Sequence, residues 1–159
     1  MNRRAMCMMA GVLMLCGAPR ATFGSQLQLG QGRGQAGRSV TLPLTYKLSG
    51  GRTAVALATD IQFDPAALSN PRCDSGNVLS RAGKSVQCAQ PRPGLLRIAV
   101  FGLNSNPVPE GEVATVTFDV APGVRPRRVV LRQTPSAADA NGTEFRIGRK
   151  TGLVRLTAP

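Results

Sequence analysis

Histidine and tryptophan are both absent from this chain. Without histidine it has neither the usual general base at neutral pH nor the commonest metal ligand. A serine nucleophile would have only Lys47, Lys84 or Lys150 to activate it. Aromatic residues make up 4% of the sequence, and Tyr46 is the one tyrosine. Stacking platforms for sugars or bases are therefore scarce. Acidic residues are few as well, 8 against 20 basic ones. The closest acidic pair, Glu110 and Glu112, flanks Gly111 with nothing around it to mark a sugar cleft. These absences argue against an enzyme. No catalytic residue, metal or cofactor is expected.

Long apolar runs are missing too, except near the start. Arg3 and Arg4 precede an apolar run from Ala5 to Leu15, and Thr22-Phe23-Gly24 supplies small residues three and one before a cut ahead of Ser25. This reads as a secretory signal over residues 1–24, followed by a single domain over 25–159. An uncleaved anchor would need about 20 apolar residues. Lipidation at Cys16 would need a small residue where Leu15 stands. Cleavage removes Arg3, Arg4 and Arg20, lowering the net charge from +12 to +9. No later stretch is long and apolar enough to span a membrane, so the product is expected to be secreted, extracellular or periplasmic. Of the four cysteines, Cys73 and Cys88 remain after cleavage. An even pair in an exported chain predicts a disulfide.

What is present is strand after strand. Residues 39–46, 54–63, 95–101, 112–120, 127–133 and 152–157 all fit short strands, several with strict period-two alternation. In 39–46, Val40, Leu42, Leu44 and Tyr46 share the inward face, and Pro43 suggests an edge position. In 54–63 the inward set is Val55, Leu57, Thr59, Ile61 and Phe63. Asp64-Pro65 begins a turn reaching Leu68. Residues 70–94 read as loop-rich, and Asp139-Ala140-Asn141-Gly142 as a hairpin turn. No stretch of ten residues shows a helical period. Seven to nine short strands predict an all-β sandwich.

Several motifs fail on context. Gly32, Gly34 and Gly37 match a dinucleotide-binding spacing, but a strand follows them where a helix is required, so a flexible turn explains them. Gly83-Lys84-Ser85 lacks the upstream glycine and the helix of a phosphate loop, and reads as a cationic loop. Asp139, Asn141 and Glu144 begin a calcium loop that Arg149 and Lys150 do not continue. Arg125, Arg127, Arg128 and Arg132 cluster in sequence, with Arg146, Arg149 and Lys150 not far away. With few aromatics among them, they do not suggest nucleic-acid binding.

Four stretches in order resemble the cohesin domain family: Ala36 to Leu44, Ile61-Gln62-Phe63-Asp64-Pro65-Ala66-Ala67-Leu68, Gly94 to Phe101, and Glu110 to Phe118. Ala137 to Gly142 is similar to a late turn of such domains, and the likeness covers about residues 27–157. The resemblance implies a nine-stranded jelly-roll β-sandwich related to cellulose-binding modules. It also implies a non-catalytic module that holds a dockerin-like partner through one sheet face, in the degradation of polysaccharides. The binding residues it points to are Ala56, Ala58, Asp60 and Gln62 on one strand, with Leu103, Asn104 and Asn106 on an adjoining loop. Dockerin-binding cohesins tend to carry Asn and Asp where Ala56 and Ala58 stand. Ala54, Ala56 and Ala58 would together present a flat face. Two other functions stand beside this one. A carbohydrate-binding module would need exposed aromatics, whereas Tyr46 is in an inward register and the phenylalanines read as core. A basic envelope protein would hold an anionic polymer through its arginines.

Overall fold

The structure, a computed structural model, describes residues 24–159. The segment read as an export signal, apart from Gly24, lies outside the described residues. Twelve strand segments follow one another: β1 (Ser25–Leu29), β2 (Gln31–Gln35), β3 (Ser39–Leu48), β4 (Ala56–Gln62), β5 (Leu68–Ser75), β6 (Ser85–Arg92), β7 (Leu95–Phe101), β8 (Gly111–Val120), β9 (Arg128–Ala138), β10 (Glu144–Arg146), β11 (Gly148–Lys150) and β12 (Gly152–Thr157). A single 3-10 turn, Ser80–Ala82, lies between β5 and β6. One sheet runs β11-β1-β3-β8-β5, and the other runs β2-β12-β9-β4-β7-β6 with β10 added on β9. This is the jelly-roll sandwich. Its first strand breaks at Gly30 and passes from one sheet to the other, and its last breaks into β10, β11 and β12. With those breaks closed, nine strands remain.

The core follows the alternation. Leu42, Leu44 and Tyr46 of β3 and Val116 and Phe118 of β8 face Leu57 and Ile61 of β4, Leu96 and Ile98 of β7 and Leu131 of β9, all buried. Phe63 and Phe118 meet edge to face, with centroids 5.0 Å apart. Gln133 is the polar tie between the layers. It is fully buried on β9, and its amide donates to the carbonyls of Leu27 (2.8 Å) and Lys150 (2.7 Å) in the opposite sheet. A buried amide satisfied in this way fixes the relative placement of the sheets.

Several expectations need correction. Residues 70–94 are not mainly loop, because they carry β5 and β6. Both are edge strands, exposed along most of their length, so no apolar alternation marks them. Pro43 lies in an inner strand. It is tolerated because the β1 ladder ends at Leu29, and the Pro43 carbonyl accepts from the Gly30 amide as the chain leaves that sheet. Val113 is buried beside Ala114, because a bulge opposite Leu44 and Thr45 breaks the alternation of β8. Gly32 and Gly34 belong to β2, where an added Cβ would press on Val40 and Val120; only Gly37 (φ 73°) makes a turn. The Asp64 and Asp139 turns form as expected. Asp64 Oδ1 accepts from the Ala66 amide, and Asp139 Oδ1 accepts from the amides of Asn141 and Thr143.

Candidate docking face

The four residues nominated on β4 all lie on the outer face of the second sheet. Antiparallel register sets Ala58 beside Ala99 of β7 and Ser136 of β9, and Ala56 beside Ala138. Small side chains on three adjacent strands leave a shallow depression of ≈ 340 Å³, rimmed by Phe101 and Glu144. Ala54 does not join it, being buried ahead of β4. Asp60 is committed to an ion pair. Arg97 Nε and Nη2 each donate to its carboxylate at 2.8 Å. This hydrogen-bonded guanidinium holds the Asp60 carboxyl below the usual carboxylate range, against partial burial that pushes it up. Gln62, beside Leu95 and Arg132, is exposed.

The nominated loop behaves differently. Leu103 stands free at 105% relative exposure, and Phe101 at the end of β7 is 38% exposed, so not all the phenylalanines are core. Asn104 and Asn106 are exposed, and their amides bond back to the preceding loop. The Asn104 amide donates to the carbonyls of Ala82 (3.1 Å) and Gly83 (3.2 Å), and the Asn106 amide to Ala82 (3.2 Å). Lys84 is 5% exposed, and its ammonium donates to the Asn104 carbonyl at 3.0 Å. Burial pushes the Lys84 pKa down. The segment read as a cationic loop therefore folds under the chain, where it braces the 102–107 loop from below. Leu103 is an exposed apolar knob on a loop that the two asparagines tie to the 82–83 backbone. Sequence reasoning missed Lys84 because its only signal, the short run Gly83-Lys84-Ser85, matches an exposed loop equally well.

The arginine cluster also disperses. Arg127 pairs with Asp64 (2.7 Å), and Arg149 donates to the Gln133 carbonyl. Cys73 and Cys88 are joined, with Cα atoms 6.2 Å apart. Among the described residues no group of His, Cys, Asp and Glu is placed to hold a metal, and no helix is long and apolar enough to cross a membrane.

Comparison with known proteins agrees with this architecture. The Cohesin domain pattern matches residues 25–149. The chain is similar to the third cohesin of ScaC from Acetivibrio cellulolyticus, solved with the ScaB dockerin (18% identity, TM-score 0.72, covering 84% of this chain and 99% of that one). It is also similar to CaCohA2 from Clostridium acetobutylicum (18%, TM-score 0.70, 85% and 92%). A third similar fold is a non-cellulosomal cohesin from the archaeon Archaeoglobus fulgidus (12%, TM-score 0.63, 84% and 91%). No curated protein matches the chain in sequence. The chain belongs to the cohesin domain family, a family of non-catalytic protein-binding modules.

Proposed function

We propose that this cohesin domain is exported and docks a dockerin-like protein through the outer face of β9, β4, β7 and β6, in an assembly that degrades polysaccharides. The observation that carries the reading is the small-residue depression with the exposed Phe101 on its rim, two residues before the exposed Leu103. Similar folds are solved in complex with dockerins, including the third ScaC cohesin. A flat centre with apolar anchors beside it suits a helical partner surface, because buried apolar anchors carry most of the energy of protein interfaces. Ala56 and Ala58 offer no side-chain hydrogen bonds, so recognition here is mainly apolar at the centre, where Ser136 is the one hydroxyl, and polar toward Asp60 and Arg97. The disulfide suits an oxidising compartment outside the cytoplasm. Phe101 is the one aromatic ring lining the depression and Tyr46 is fully buried, so the face lacks the row of exposed rings that suits sugar stacking.

The test is affinity capture from the secreted fraction of the source organism, followed by titration of the captured protein. The expected result is a calcium-dependent partner that is lost on chelation. Ala58→Arg and Leu103→Asp should each weaken it by about 30-fold, the size of a central hot spot of about 2 kcal/mol. Capture that survives both substitutions, or no capture, overturns the reading.

A further inference from the structure

The same sheet carries a second surface at its opposite end, where β2, β12 and β9 lie side by side. Register places Arg155 of β12 directly beside Arg33 of β2 and Arg128 of β9. All three side chains are exposed. Among the described residues none of the three makes a side-chain hydrogen bond or an ion pair, whereas Arg72, Arg97 and Arg127 each hold a carboxylate. Like charges directly opposite each other on neighbouring strands destabilise a sheet. Three abreast are therefore a cost that the fold itself does not offset. A trough of ≈ 320 Å³ runs beside them, lined by Gln31, Gly32, Arg33 and Arg155.

We propose that this arginine row binds a linear acidic polysaccharide, at a site that shares with the docking face only β9, whose Arg128 end lies away from Ser136 and Ala138. Neighbouring strands are about 4.8 Å apart, so the row offers closely and regularly spaced guanidinium groups to an acidic chain crossing the strands. A single-stranded nucleic acid would need aromatic platforms. Here Tyr46, Phe63 and Phe118 are buried, and Phe101 stands at the far end of the sheet. Gln31, Gln35 and Thr157 flank the row with exposed groups suited to sugar hydroxyls. Guanidinium is also the cation that pairs best with carboxylates in two-point geometry.

Titration of the purified protein with polygalacturonate, at physiological salt, tests this. The triple substitution Arg33→Gln, Arg128→Gln, Arg155→Gln should weaken binding at least tenfold without lowering the melting temperature. An equal loss of charge elsewhere, Lys47→Gln, Arg81→Gln, Arg92→Gln, should weaken it less than threefold. Ala58→Arg, which is aimed at the docking face, should leave it unchanged, so the two surfaces succeed or fail separately. Equal weakening by both triple variants would reduce the effect to net charge and overturn the proposal. So would absent polygalacturonate binding, or binding of polyglutamate or single-stranded DNA as tight as that of polygalacturonate.

Discussion

Asp119 on β8 gathers donors from three other residues onto one carboxylate. The Ser39 hydroxyl donates at 2.9 Å, the Asn70 amide at 3.1 Å, and Arg72 through both terminal nitrogens at 3.2 and 2.8 Å. Asn70 reaches it because the chain is bulged between Ser69 and Arg72, and it adopts a left-handed φ of 47° that asparagine tolerates. The hydrogen bond from Arg72, then those from Asn70 and Ser39, hold the Asp119 carboxyl well below the usual carboxylate range. A depressed folded-state pKa contributes stability above the unfolded value, about 3.9, and loses it as pH falls through the folded one. Asp119→Asn should therefore lower the melting temperature most near neutral pH. The gap to the parent protein should close as pH drops below about 4. A gap that stays constant down to pH 2 would mean that the carboxylate charge plays no part. Because Asp119 and Arg72 are both accessible, added salt should also narrow the gap.

The sandwich has one open side, where β5 ends the first sheet and β6 ends the second. The disulfide joins Cys73 of β5 to Cys88 of β6, so it ties together two edges that share no hydrogen-bond ladder. Closing a loop of about 15 residues stabilises by about 3 kcal/mol in the chain-entropy model. Cys73→Ser with Cys88→Ser should lower stability by that order in denaturant titration, and reducing agent should do the same to the parent protein. The pairing was legible in the sequence, but the strands it joins were not. β5 and β6 bury few side chains, and periodicity records burial. The buried alternation of β3, β4, β7 and the later part of β8 made those strands readable, and with them the outward face of Ala56, Ala58, Asp60 and Gln62. The first half of β9 was readable, but its continuation through Pro135 was not, because proline argues against a strand. The hydrogen bonds that hold Asn104 and Asn106 depend on carbonyls more than twenty residues earlier in the chain, which local spacing does not encode.

At the scale of the whole molecule, the two ends of the chain complete both sheets. β1 lies between β11 and β3, and β12 lies between β2 and β9. Val154 and Leu156 of β12 are buried in the shared core. A chain stopped after Lys150 would strand β2 without a neighbour and open the core along β9. It should lose cooperative unfolding and become protease-sensitive, even though the cohesin pattern ends at residue 149. A truncated chain that melts sharply would show that β12 is dispensable.

The pairing at the ends also sets how the domain responds to a pull. β1 runs parallel to β11, and β2 runs parallel to β12. Tension applied through the two termini drags β2 backward and β12 forward along a common axis. The hydrogen bonds between them are then loaded together in shear, not peeled apart one at a time. Such a geometry resists a pull through both termini until the whole ladder gives way at once.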